Sequence, residues 1–131
     1  MVILITIAAT LSAAIHVLIF YWESLAWTRP TIWKRFGLRS QDEAETTRVF
    51  AYNQGYYNLF LAIGALVGSV MYGLGATDAG FALGLFSVSC MFAAAIVLVT
   101  SGPGRIRAAA LQGLFPLITI VLYIWSWSID H

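Results

Sequence analysis

The chain reads as an all-α, polytopic membrane four-helix bundle with its N-terminus and C-terminus outside, and three observations carry that reading. Of its 131 residues, 60% are hydrophobic and 10% charged, with a mean hydropathy of +0.83, whereas soluble domains carry about a quarter charged residues. Four stretches, 2–26, 49–74, 79–100 and 107–128, are long and apolar enough to cross a hydrocarbon core of about 30 Å, which takes about 20 helical residues. All seven basic residues fall after the first and third stretches: Arg29, Lys34, Arg35, Arg39 and Arg48, then Arg105 and Arg107. These two segments share one side of a four-span chain, so the positive-inside rule places both in the cytoplasm and the protein in the inner (plasma) membrane. A single transmembrane domain then takes up residues 1–131.

The elements follow in order. The first stretch has no basic n-region and stays apolar to Trp22, which argues for a retained span over a cleaved signal peptide. In the cytoplasmic loop 27–48, Pro30 opens a short interfacial helix and Gly37 closes it in the left-handed conformation. Trp33 and Phe36 are expected to dip into the interface there, with Lys34 and Arg35 toward lipid headgroups. Ser40 and Glu43 form a capping box that starts the second long helix at Gln41. Gly64 with Gly68, and Gly80 with Gly84, allow close backbone approach inside the bundle, and would also serve a homo-oligomer. Asp78 is the expected cap of the third long helix, and Gly102-Pro103-Gly104 breaks the chain before the fourth. Tryptophans 22, 27 and 33 mark one membrane boundary and Trp125 and Trp127 the other.

Chemistry is confined to a few polar groups. A net charge of +1 gives no basis for nucleic-acid binding, and lone Cys90 reads as a small packing residue. Ionisable groups inside a span cost about 2.5 to 3.5 kcal/mol and so usually face the protein interior. Here they are His16 and Glu23 in the first span, joined by Asn53, Gln54 and Asn58 in the second and Gln112 in the last. At about 100° per residue, Ser12, His16 and Glu23 share one stripe. Asn53, Gln54, Tyr57 and Asn58 fan over about 140°, and Gln112 shares a stripe with Thr119, Tyr123 and Ser126. Counted at about 1.5 Å per residue, all six amides and ionisable groups lie in the inner half of the membrane, so a cytoplasm-facing polar pocket is expected.

The run Asn53-Gln54-Gly55-Tyr56-Tyr57-Asn58, with His16 and Glu23 before it, Trp27-Thr28-Arg29-Pro30 between, and Gln112-Gly113 with Pro116 after, resembles the small bacterial and fungal membrane proteins grouped as domain of unknown function thirteen-oh-four. That resemblance covers nearly the whole chain and implies four spans, without an activity. A weaker similarity is to the membrane-associated eicosanoid and glutathione enzymes, four-helix chains that trimerise around glutathione. Arg48 and Asn53 match their helix-two motif at a spacing one residue longer, Gln or Gly stands where a Glu is expected, and Arg107 is the only Arg of the last helix.

The expected function is a site for a lipophilic small molecule entered from the inner leaflet. His16 and Glu23 are the catalytic candidates, suited to acid/base isomerisation or cyclisation of an isoprenoid-like lipid in a site that excludes water. Asn53, Gln54, Asn58 and Gln112 would orient its polar head, Trp22, Tyr56, Tyr57 and Phe60 would line the apolar part, and Arg48 with Arg29 would flank the mouth. No cofactor or metal is implied: His131 lies outside while His16 is in the inner half, so they cannot share a haem, and a catalytic metal needs about three protein ligands. The competing readings are a small proton-coupled transporter, a glutathione-type membrane enzyme and a non-catalytic membrane subunit in which the amides are glue.

Overall fold

Apolar stretches of this length have one way to satisfy their backbones in lipid, which is to coil, since each helix meets its own hydrogen-bonding needs. The computed structural model describes residues 1–130, and His131 lies outside them. Helix α1 (Val2–Phe20) continues into a π-helical turn, Tyr21–Leu25. A short α2 (Pro30–Trp33) and a 3-10 turn, Lys34–Phe36, lead to α3 (Gln41–Gly73), α4 (Thr77–Thr100) and α5 (Ile106–Asp130). Four helices are long and apolar enough to cross a membrane. They run up and down in turn, with α1 packed between α3 and α5 and α4 completing the ring.

Lipid supplies no hydrophobic drive between helices, so the bundle is held by close fit. Small residues make that fit. Ala9, Ala13, Ala62 and Ala65 are buried at the helix seams. A Cβ on Gly68 would strike the backbone of Gly84, and one on Gly80 would strike the backbone of Tyr72. Gly84 also leaves the space taken by the ring of Tyr123, which is fully buried at the centre of the bundle. Outward-facing Ile3, Val67, Phe86, Val97 and Val121 are exposed, as lipid contact requires.

Helix α3 has 33 residues, about 50 Å at 1.5 Å each, against a core of about 30 Å. Its first turns therefore stand clear of the bilayer and carry a second small core of Trp27, Trp33, Ala44 and Ala51. Trp27 Nε1 donates to the Ala44 carbonyl and to Thr47 Oγ1, both at 3.1 Å, and Trp33 Nε1 donates to Gln41 Oε1 at 2.9 Å. Trp33 is thus buried against α3 and does not dip into the interface as expected, because the overhanging helix offers both an apolar wall and an acceptor for its N–H. Gly37 closes the short helical segment at φ +79°. Ser40 Oγ accepts from the Glu43 N–H at 3.1 Å, while Glu43 Oε2 accepts from the Arg39 N–H at 2.8 Å. Ser40→Ala is expected to lower stability by about 1 kcal/mol, read as a lower melting temperature in detergent. Asp78 is not the cap of α4: Ala76 occupies that position and Asp78 falls in the first turn, where its charge complements the helix dipole.

Candidate functional site

The first span ends in a widened turn, where the Ala26 N–H donates to the Tyr21 carbonyl at 3.0 Å. An i to i+5 bond lodges one extra residue in the last turn of the span, at the level of Glu23. The turn also brings Ser24 onto α3. Ser24 Oγ donates to the Tyr52 carbonyl at 2.8 Å, and Gly55 opposite it has no room for a Cβ.

This seam joins two of the expected site residues directly. Asn58 Nδ2 donates to Glu23 Oε2 at 2.8 Å and also lies 3.2 Å from the Gln54 carbonyl. Both side chains are half-buried. About 20 residues back from Gly73 the hydrocarbon core ends near Asn53, so Asn58 lies about 7 Å below that boundary. The pair therefore sits between α1 and α3 just inside the end that carries the basic residues.

His16 is placed apart from that pair. It is 1% exposed, and its Nδ1 lies 2.9 Å from the Ser12 carbonyl. A carbonyl only accepts, so Nδ1 carries a proton in this contact. From this point buried polar groups follow the bundle axis toward the other end. Ser12 Oγ is 3.4 Å from Thr119 Oγ1, the Tyr72 and Ser126 hydroxyls are 2.8 Å apart, and Tyr123 Oη lies between these levels, buried without a hydrogen-bond partner among the described residues.

The remaining expected residues are distributed more widely. Gln112 is half-buried on α5, one turn before Pro116, whose ring cannot donate to the Gln112 carbonyl. Asn53, Gln54 and Tyr57 are exposed, as is Arg48. Trp22 is taken up by the interfacial segment: the Arg35 guanidinium lies 5.2 Å over its ring and Phe36 meets it edge-on at 6.4 Å. Arg29 Nη1 donates to Tyr21 Oη at 3.1 Å. Tyr56 joins Phe20, Tyr52 and Phe60 in an aromatic row with centroids 5.0 to 6.2 Å apart. Helical spacing puts this row on the opposite side of the α1–α3 seam from Asn58.

Sequence reasoning missed Ser24 and Tyr72. Neither residue type is unusual in a span, and only the facing helix reveals what each bonds to. It also missed an apolar cavity of about 300 Å3 between α4 and α5, which takes in none of the polar residues above.

Four antiparallel helices with apolar outer faces, a close-packed small-residue interior and charges gathered toward the ends of the spans and in the loops define a multi-pass integral membrane protein. The chain belongs to the family described as protein of unknown function (DUF1304), whose model matches residues 10–124. No curated protein and no solved structure matches it.

Proposed function

We propose that this protein binds a lipid-like amphiphile at the α1–α3 seam and moves a proton on it through Glu23. The observation that carries the reading is the Asn58–Glu23 hydrogen bond of 2.8 Å. A carboxyl group retained inside a span is costly, and here its partner is a neutral amide that orients it without neutralising it. Gln54, one turn before Asn58 on α3, is exposed and free to receive a polar head, and the apolar tail would lie in the membrane alongside the seam. The reaction class is isomerisation of an isoprenoid-like alkene. Protonation of one alkene carbon by the Glu23 carboxyl puts positive charge on the other, and loss of a proton to the carboxylate from the carbon next to that charge on its far side shifts the double bond with no change in atoms or oxidation state. In this reading the basic end faces the cytoplasm and His16 supports the fold of α1 and does not touch the amphiphile.

The experiment is lipid profiling of membranes with and without the protein, followed by turnover of the lipid that differs. Glu23→Gln keeps the shape and the bond to Asn58, and is expected to slow turnover by at least about 100-fold while leaving the protein folded. Turnover by that variant at the unmodified rate would sink the acid/base role.

A second reading, proton-coupled transport, is favoured by the axial series from His16 through Ser12, Thr119, Tyr123 and Tyr72 to Ser126. Flux of hydrophobic cations driven by a pH gradient across liposomes, abolished by His16→Ala, would support it over catalysis.

A further inference from the structure

We infer that α4 and α5 form a second site, separate from the Glu23 seam, for one acyl chain of an anionic phospholipid whose headgroup is held by Arg105 and Arg107. The cavity of about 300 Å3 lies between these two helices and is lined by apolar side chains alone, among them Phe92, Ile96, Ile106, Ala110, Leu114 and Leu117. That is about ten times the volume of one water in the liquid, about 30 Å3.

Its shape comes from the sequence. Gly113 meets Ala95 across the helix pair, so the backbones draw together there, and small Ala109 and Ala110 leave a trough whose sides are the larger residues. The trough extends along α5 from Ile106 to Leu117, about 17 Å by helical rise. One leaflet of a core about 30 Å thick is about 15 Å deep. A groove this deep fits one lipid tail lying along the membrane normal from the headgroup level to the midplane.

The headgroup end fixes the lipid class. Ile106 lines the trough, and the residues on either side of it are Arg105 and Arg107, both exposed. They stand at the mouth, where α5 begins and its positive dipole end also favours an anion. Basic clusters at the end of an intermembrane groove attract anionic headgroups, and a neutral lipid would gain the groove contacts without this attraction.

The test is native mass spectrometry of the full chain in a neutral detergent, with phosphatidylglycerol and phosphatidylcholine of identical acyl chains offered together. One phosphatidylglycerol is expected to be retained in preference. The R105Q/R107Q variant is expected to lose that preference by about 30-fold, from the attraction each arginine exerts on an anionic surface, and R105K/R107K is expected to keep it. Ala110 is exposed, so Ala110→Phe fills the trough without entering the bundle core, and is expected to lower retention of both lipids while thermal stability holds. Equal retention of the two lipids by the unmodified protein, or undiminished preference in R105Q/R107Q, would overturn the headgroup assignment. Unchanged retention in Ala110→Phe, or a dimer that this variant converts to monomer, would overturn the acyl-chain assignment by showing that the trough is empty of lipid or covered by a second copy.

Discussion

Gly68→Leu is expected to abolish the folded bundle. The position faces the backbone of Gly84 on α4, with no flexible side chain in between that could swing aside. A leucine there forces α3 and α4 apart, and the separation propagates to Gly64 against Ser87 and Gly80 against Tyr72, the other contacts of the same seam. Inserted methylenes in a close-packed core cost about 1 to 3 kcal/mol when backbones can shift, and here backbone itself is the obstacle, so a loss above about 3 kcal/mol is expected. In the membrane no hydrophobic drive compensates, because lipid tails are as apolar as the leucine. The measurement is size-exclusion profile and helix content in detergent. Gly102→Ala is the control, since a Cβ there meets the Arg105 side chain at 3.4 Å and nothing closer. If Gly68→Leu gave the same monodisperse profile and melting temperature as the unmodified chain, the α3–α4 packing described above would be wrong.

Tyr123 yields the second large effect, in opposite directions for two substitutions. The ring is completely buried against Tyr72 at 5.5 Å and Phe81 at 6.0 Å, and Tyr123→Ala is expected to cost about 3 to 5 kcal/mol through the cavity it leaves. Tyr123→Phe keeps the ring and removes a hydroxyl that has no partner among the described residues. An unsatisfied buried polar group costs about 1 to 3 kcal/mol, so this variant is expected to be more stable than the unmodified protein by an amount in that range. Thermal unfolding in one detergent at fixed pH compares the three chains. A lower melting temperature for Tyr123→Phe would show that the hydroxyl has a partner and is part of the axial series in its own right.

Much of the architecture is written in the sequence because the membrane makes so few structures affordable. Apolar length specified the four helices. Pro30 and Gly37 bounded the short segment between α1 and α3, and Ser40 with Glu43 marked the start of α3, since those residues act on the few backbone groups that a helix end leaves free. The glycine pairs pointed to the tight seams for an equally local reason.

The site was legible in part. Glu23 and Asn58 were both singled out, and the structure joins them. Asn53 and Tyr57 were expected at the same pocket, yet both are exposed, because a fan of polar residues on one helix does not say where the neighbouring helices stand. Trp33 was read as an interfacial residue: the helix start at Gln41 ahead of a span at 49 implied an overhang, but not that the loop folds back so that this overhang covers Trp33. The trough between α4 and α5 is made of alanine, glycine and larger apolar residues, a composition common to every span here, so it has no signature in one dimension.

The widened turn at Tyr21–Leu25 has a consequence for how this chain tolerates changes in length. An i to i+5 turn holds one more residue than a regular helix needs for the same arc. Deleting one residue from this stretch would therefore let a regular coil span the same arc, and the segments before and after it would keep their mutual orientation. Only the side chains inside the turn, Glu23 and Ser24 among them, would have to re-seat against Asn58 and the Tyr52 carbonyl. The same deletion in the regular part of α1 would turn every following side chain by about 100°. The widened turn is thus a place where the length of this span can change while the rest of the helix keeps its register on α3.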